Sequence, residues 1–268
     1  MKPKIGVGVI TCNREEFCKK LIKSIPEVDA IVAVNDGHMY ASRAYDGVGE
    51  NAYNIKILHT KVGGGEGVGK AKNKALQALL KQKCDYYFII EDDMLIKNPD
   101  VFNAYIECSK ATGLQHLMFG YHGPANKNNN GPNPRLIVDY GTSKVALNLH
   151  CVGSFCMYTH RVLQEVGLMD EAYVNAWEHV DHSYLISKLG YIPGFWWWPD
   201  LANSYDYIDE QACSETNSTI RPRADWQKNI QKGAEHFYQK HKCFPVTVPD
   251  LTVDQVKLKL KEIYKTWR

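Results

Sequence analysis

Nearly unbroken apolar runs recur at Lys4 to Ile10, Ala30 to Val34, Ile55 to Leu58 and Tyr86 to Ile90, rich in valine and isoleucine. Runs of this length and composition fit buried strands. Helical patterns lie between them. Asn13 followed by Glu16 resembles a capping arrangement for a helix through Leu21 and Ile22, stopped by Pro26. A glycine-rich loop from Gly63 to Gly69 precedes a second helix, with Ala71, Ala75, Leu76, Leu79 and Leu80 on one face. Asn98 caps a third, with Pro99 in its first turn. Strands alternating with helices predict an α/β chain built on a Rossmann-type, doubly wound, mostly parallel sheet.

The later part has a different texture. Residues 123–134, GPANKNNNGPNP, predict a mobile loop. Short strands are expected at Leu136 to Tyr140, Val145 to Leu149 and Phe155 to Tyr158, then a helix from Glu178 to Leu189. Thr252 and Gln255 form a capping box for a last helix, whose apolar face is Val253, Val256, Leu260, Ile263 and Trp267. The expected organisation is a ligand-binding half over 1–110, a second half of the same domain over 111–210, and a helical extension over 211–268.

Of the 268 residues, 44% are apolar, and the formal net charge is +2. That charge argues against nonspecific binding to nucleic acid. No segment approaches the roughly 20 apolar residues that span a bilayer. Eight cysteines without a C-x-x-C pair are expected to be reduced and mostly buried. The N-terminus runs straight into the first strand, so a cytoplasmic protein is expected, and the sequon Asn217-Ser218-Thr219 is then coincidental.

In a doubly wound sheet the ligand lies beyond the carboxyl ends of the strands. That rule gathers Thr11, Asn13, Asn35, Asp36, the glycine loop, Asp92 and Asp93 in one place. Paired carboxylates directly after a buried strand are costly unless they meet water, donors or a cation, and they suit magnesium or manganese bridging a diphosphate. Gly64, Gly69 and Lys70 approach the phosphate-cradling G-x-x-x-x-G-K pattern, but Ala71 replaces its hydroxyl. What remains is a glycine loop and helix start suited to an anion or a close-approaching ligand. In NAWEHVDHSY, helical spacing puts Glu178, Asp181 and His182 on one side, with His179 rotated away. A carboxylate beside an imidazole can deprotonate a hydroxyl, orient a sugar or ligate a metal. Trp177 either stacks on a sugar face or belongs to the core.

Taken together, ITCNREEFCKKLIKSI, IVAVNDG, GKAKNKAL, YYFIIEDDML and WEHVDHSY resemble the GT-A fold glycosyltransferases of the family-2-like group. The resemblance spans roughly residues 4 to 200 and includes galactosyl- and N-acetylgalactosaminyltransferase-type enzymes. It implies a GT-A-like sheet with a smaller acceptor-side subregion, a UDP-sugar donor, a carbohydrate acceptor, and Mn2+ or Mg2+ as cofactor. Thr11, Asn13 and Asp36 are implied nucleoside contacts, with Lys70 and Asn73 beside the nucleotide. Glu91-Asp92-Asp93 takes the D-x-D position, with Asp93 gripping the metal and Asp92 assisting. Where inverting enzymes of this kind carry Glu-Asp on the acceptor side, this chain has Glu178-His179, so either His179, Glu178 or Asp181 is the base, or no base is used and configuration is retained. His182, Asp200 and Asp206 are candidates for a further metal ligand. Hexose or N-acetylhexosamine transfer in cell-surface polysaccharide or glycoconjugate synthesis is the implied role.

Two rivals stand beside it. A P-loop-like phosphotransferase would use Lys70, and a nonenzymatic carbohydrate-binding module would use Trp177 and Trp196 to Trp198. The lysines of the last helix also allow peripheral contact with a membrane surface.

Overall fold

The computed structural model describes residues 2–40, 55–61, 65–211, 218, 220–222 and 224–267. The strands in chain order are β1 (Ile5–Thr11), β2 (Ala30–Asn35), β3 (Ile55–His59), β4 (Tyr86–Glu91), β5 (Met94–Ile96), β6 (His116–Met118), β7 (Lys127–Asn128), β8 (Gly131–Pro132), β9 (Leu136–Asp139), β10 (Lys144–Asn148), β11 (Phe155–Thr159), β12 (Trp198–Leu201) and β13 (Ile208–Glu210). The helices are α1 (Glu15–Ser24), α2 (Val68–Leu80), α3 (Val101–Thr112), α4 (His160–Glu165), α5 (Glu178–Lys188), α6 (Trp226–His241) and α7 (Val253–Trp267).

The central sheet runs β3-β2-β1-β4-β11-β6. Its first four strands are parallel, and β11 pairs antiparallel with both β4 and β6. Every residue of β1, β2 and β11 is buried, which is why these strands read as continuous apolar runs. Gly6 and Gly8 let α2 lie directly on β1: a Cβ at Gly8 would sit 2.6 Å from Ile89 and 2.9 Å from Ala75. A smaller antiparallel sheet, β12-β10-β9, and a β13-β5 pair flank the main one. One hydrophobic cluster extends from Ile5 through the sheets to Ile263 on α7.

Two expected helix starts shift. Asn13 adopts a left-handed backbone (φ 57°) and its carboxamide accepts from the His38 N–H, so Arg14 precedes α1 without a side-chain cap. Asn98 caps a turn by accepting from the Asp100 N–H, and α3 begins at Val101. Residues 123–134 are also more ordered than their composition predicts. Pro124–Asn126 forms a 3-10 turn and β7 pairs with β8, while buried Asn126 bonds Gly120 and both backbone groups of His150. One asparagine supplies the anchoring that the flanking glycines and prolines disguise.

The capping box of α7 forms: the Thr252 N–H donates to Gln255 Oε1 (2.8 Å) and the Gln255 N–H to Thr252 Oγ1 (3.3 Å). Val256, Leu260 and Ile263 are buried against the domain, each worth about 1.5–3 kcal/mol. The seven cysteines among the described residues are all free, with Cys18, Cys84, Cys108 and Cys156 buried. No helix among the described residues is long and apolar enough to cross a membrane. Asn217 and Thr219 of the sequon, and Gly63 and Gly64 of the glycine loop, lie outside the described residues.

Candidate active site

The carboxyl end of β4 carries Glu91, Asp92 and Asp93 into a polar cleft, and the three carboxylates have different surroundings. Asp92 is fully buried and committed internally: Thr11 Oγ1 donates to Oδ2 at 2.6 Å, and the Arg14 guanidinium pairs with Oδ1. Tyr40 completes this network through Thr11 (2.7 Å) and the Arg14 N–H (2.8 Å). Asp93 is different. One of its oxygens lies 3.5 Å from Arg14 Nη1, while Oδ1 is buried with no hydrogen-bond partner among the described residues. Burial and the charge of Glu91 raise its pKa above the ordinary carboxylate range, with Arg14 and His122 opposing.

An orphaned, electrostatically strained carboxylate oxygen of this kind fits a hard divalent cation. Among the described residues no group of three His, Cys, Asp or Glu side chains forms a cage. Mg2+ bound through one or two carboxylates, with water and substrate phosphates filling the other positions, needs no such cage. Asp93 therefore fits the expected metal position, whereas Asp92 is occupied by Thr11 and Arg14.

Glu91 points toward a fully buried lysine. Lys72 Nζ, on α2, lies 2.7 Å from Glu91 Oε1, 3.0 Å from Glu178 Oε1 and 3.0 Å from the Gly153 carbonyl. Glu178 opens α5, and its Oε1 also accepts from His179 Nδ1 at 3.0 Å. Burial works against the charge on all three ion-pair members, but the pairing reverses it. Lys72 is held above its ordinary pKa, and Glu91 and Glu178 below theirs. Glu178 Oε2 is buried with no hydrogen-bond partner among the described residues. His179 is partly open, with its side chain 23% exposed. Gly153 is what lets these groups meet, since a Cβ there would fall 2.7 Å from His179 Cγ and 2.9 Å from Lys72 Nζ. Strand end and α5 thus share one charged chain, Glu91–Lys72–Glu178–His179.

A second cluster borders Asp93. His122 Nδ1 lies 2.7 Å from Glu210 Oε1, and Lys127 Nζ lies 2.8 Å from Glu210 Oε2. Burial disfavours the imidazolium of His122, but Glu210, Asp93 and Glu91 outweigh it and raise the pKa.

Other expected contacts lie elsewhere. Asp36 accepts from the N–H groups of Glu66 and Gly67 (both 2.9 Å) and from Thr60, so it anchors the glycine loop. The Val68 N–H donates to the Val174 carbonyl, which would lie 2.1 Å from a Cβ at Gly67. The close-approaching partner at Gly67 and Gly69 is the chain's own 173–174 backbone, and its Val174 carbonyl takes the first N–H of α2. Lys70 pairs with Glu66 at the surface, and Asn73 is buried, bonding Met169 on both sides. These contacts remove the basis of the P-loop reading.

Asp181 and His182 diverge from Glu178. Asp181 turns to Lys240 (2.8 Å) and His241 (2.6 Å) of α6, which with Tyr173 (3.2 Å) occupy both its oxygens. His182 Nε2 bonds the Gly167 carbonyl and its ring packs on Tyr158, so it joins no metal group with Asp93. Asp200 is likewise enclosed by Tyr105, Ser204 and the Gly120 N–H, and Asp206 bonds Asn203. Trp177 donates its indole N–H to the Ile230 carbonyl and packs on Phe237. Trp197 and Trp198 are buried, and half-buried Trp196 donates its indole N–H to the Val248 carbonyl, so two of the four tryptophans expected of a carbohydrate-binding module belong to the core.

No protein-family model and no curated protein matches the chain. Solved structures do. The chain resembles S. aureus TarS with a TM-score of 0.59 and 14% identity, over 97% of this chain and 42% of that one. Against TarS residues 1–349 the TM-score is 0.57 at 13% identity, over 97% of this chain and 70% of that one. The mannosyltransferase PcManGT of Pyrobaculum calidifontis, solved with GDP-Man and Mn2+, gives 0.57 at 12% identity, over 98% and 70%. The chain thus spans under half the length of full-length TarS. Its fold is the GT-A fold, with the parallel-dominated sheet of these glycosyltransferase structures.

Proposed function

We propose that this chain is a metal-dependent glycosyltransferase that moves a hexose or N-acetylhexosamine from a UDP-sugar to a carbohydrate acceptor hydroxyl. The observation that carries the reading is the continuous link from the β4 carboxylates through Lys72 to the Glu178–His179 pair, placed at the strand ends of a GT-A fold. Structures sharing that fold include TarS 1–349 in complex with UDP-GlcNAc and PcManGT with GDP-Man and Mn2+.

Asp93 would hold the divalent ion, which would supply positive charge to offset that of the donor diphosphate. Arg14, between Asp92 and Asp93, keeps these acids apart and orients them. Glu178 accepts Nδ1–H of His179, so Nε2 carries the free lone pair. His179 Nε2 takes the acceptor hydroxyl proton while that oxygen bonds the anomeric carbon and the bond from that carbon to the diphosphate oxygen breaks. Direct attack of this kind inverts configuration. We assign the protein to cell-surface polysaccharide or glycoconjugate synthesis in the cytoplasm, and any peripheral membrane contact to Lys257, Lys261 and Lys265 at the edge of α7.

The test is a panel of UDP- and GDP-sugars incubated with the full chain, with manganese and with a chelator, following release of nucleoside diphosphate. Manganese-dependent hydrolysis of one donor supports the reading. Donor binding and turnover that persist in chelator overturn it.

A further inference from the structure

A lysine with no exposed surface is an expensive component, because its ammonium must be desolvated and then re-paired. An apolar side chain of similar length would fill the same space on α2 at lower cost, so packing does not explain Lys72. Its contacts are specific: Glu91 Oε1, Glu178 Oε1 and the Gly153 carbonyl account for the three donors of an ammonium. Lys72 and His179 share one oxygen of Glu178, and the other oxygen has no partner among the described residues. Gly153 packs against His179 and Lys72 together, so the ring and the ammonium occupy one compartment.

We infer that Lys72 is a positioning residue, whose ammonium, braced on Glu91 and Gly153, fixes the Glu178 carboxylate so that it holds His179 with Nδ1–H inward and Nε2 toward the acceptor. The inference rests on His179 as the acceptor-side base. Lys72 acts through Glu178 and touches neither the transferred sugar nor the acceptor. It also gives the first strand-end acid a structural duty, because Glu91 neutralises the second half of the lysine charge.

The charged and titratable groups facing His179 are Glu178 on its own helix, Lys72 on α2, Glu91 on β4, His116 on β6, and Cys151 before β11. Removing the lysine leaves two buried carboxylates without the cation that keeps them ionised, so burial pushes the pair to take up a proton and Glu178 no longer holds the His179 ring in one orientation.

The decisive measurement is the tautomer of His179, read from its ring nitrogen NMR shifts in the full chain and assigned with His179→Gln. Wild type should show the Nδ1–H tautomer, and Lys72→Met should turn it into a mixture of the two. Lys72→Arg should restore most of the single tautomer. Should the apolar variant not fold, Lys72→Gln carries the same expectation. A donor found by the hydrolysis panel adds a second readout: kcat falls about tenfold or more in Lys72→Met while the donor KM stays within twofold. An unchanged His179 tautomer, with only a lowered melting temperature, overturns the inference. The NMR measurement needs no turnover, so failure to find a donor would count against the glycosyltransferase reading alone.

Discussion

Asp181 Oδ1 lies 2.6 Å from His241 Nε2, and Lys240 Nζ reaches Asp181 Oδ2 at 2.8 Å, so α6 is fastened to α5 through a single buried carboxylate. Lys240 extends the fastening to Asp170, which also pairs with His236 at 2.9 Å. An acid that sequence spacing places among the catalytic candidates is therefore the anchor of a helix.

Asp181→Asn should destabilise the protein by about 1–3 kcal/mol, since it removes one charge from a buried pair and leaves Lys240 and His241 without their anion. Turnover should stay within about threefold of wild type once the protein is folded. Urea unfolding gives the first number and donor hydrolysis the second. A collapse of kcat with stability unchanged would return Asp181 to the reaction.

Asp93→Asn should have the opposite character. Oδ1 of Asp93 is buried with no partner among the described residues, so its carboxylate is poorly satisfied. Neutralising it should raise the apo stability by about 1 kcal/mol. The same change should abolish the stabilisation that manganese with UDP confers on wild type, and with it donor hydrolysis. Thermal unfolding with and without manganese and UDP tests both halves. Equal manganese-dependent stabilisation of variant and wild type would remove Asp93 from the metal site.

Much of the fold is legible because buried parallel strands leave an unmistakable trace. Burial on both faces makes β1, β2 and β4 continuous apolar runs, and the acids at the end of β4 stand out against them. Glu178 and Asp181 were harder, because residues three apart on a helix differ by roughly 60° in direction. At a helix start wedged between α2 and α6 that angle separates two environments, Lys72 on one side and Lys240 on the other. The glycine loop carries the same signature whether a phosphate or a backbone carbonyl approaches, and here Val174 approaches. Lys72 does carry a signal: two residues from both Lys70 and Lys74, it lies about 160° away from them around the helix and falls on the face of Ala75, Leu76 and Leu79, where a lysine must find buried partners. Arg14, Tyr40 and Gly153 carry no local signal, because their partners are distant in sequence.

Lys70→Ala separates this site from a phosphate-cradling loop. Its partner is Glu66, one helical turn away, and both side chains are partly solvated. The pair should contribute no more than about 0.5 kcal/mol. Donor hydrolysis by Lys70→Ala should fall within twofold of wild type, and calorimetry should find no ATP binding lost, because none depends on this residue. A loss of activity beyond tenfold would revive a nucleotide-phosphate role for Lys70.

His116 supplies a signed pH dependence. Its ring is fully buried, donating from Nδ1 to the Met157 carbonyl at 2.8 Å, accepting from Ser183 at Nε2 (3.1 Å), and stacking on Tyr158. Burial lowers its pKa from 6.5 to about 3, with His182 and His179 adding to the effect and the Met157 carbonyl opposing it. Below pH 6.5 the unfolded chain therefore takes up a proton that the folded chain refuses until near pH 3. Stability contributed by the neutral ring is complete above pH 6.5 and is lost as pH falls through that window, at up to about 1.4 kcal/mol per pH unit. Between pH 6 and 5 ordinary carboxylates have barely begun to titrate, so the histidine slope is visible there. His116→Gln should be less stable than wild type at pH 7 by about 1–3 kcal/mol, from lost packing and one lost hydrogen bond. The difference should shrink steadily toward pH 5, read as converging urea midpoints. Parallel pH profiles for the two proteins would mean that His116 is protonated within the fold.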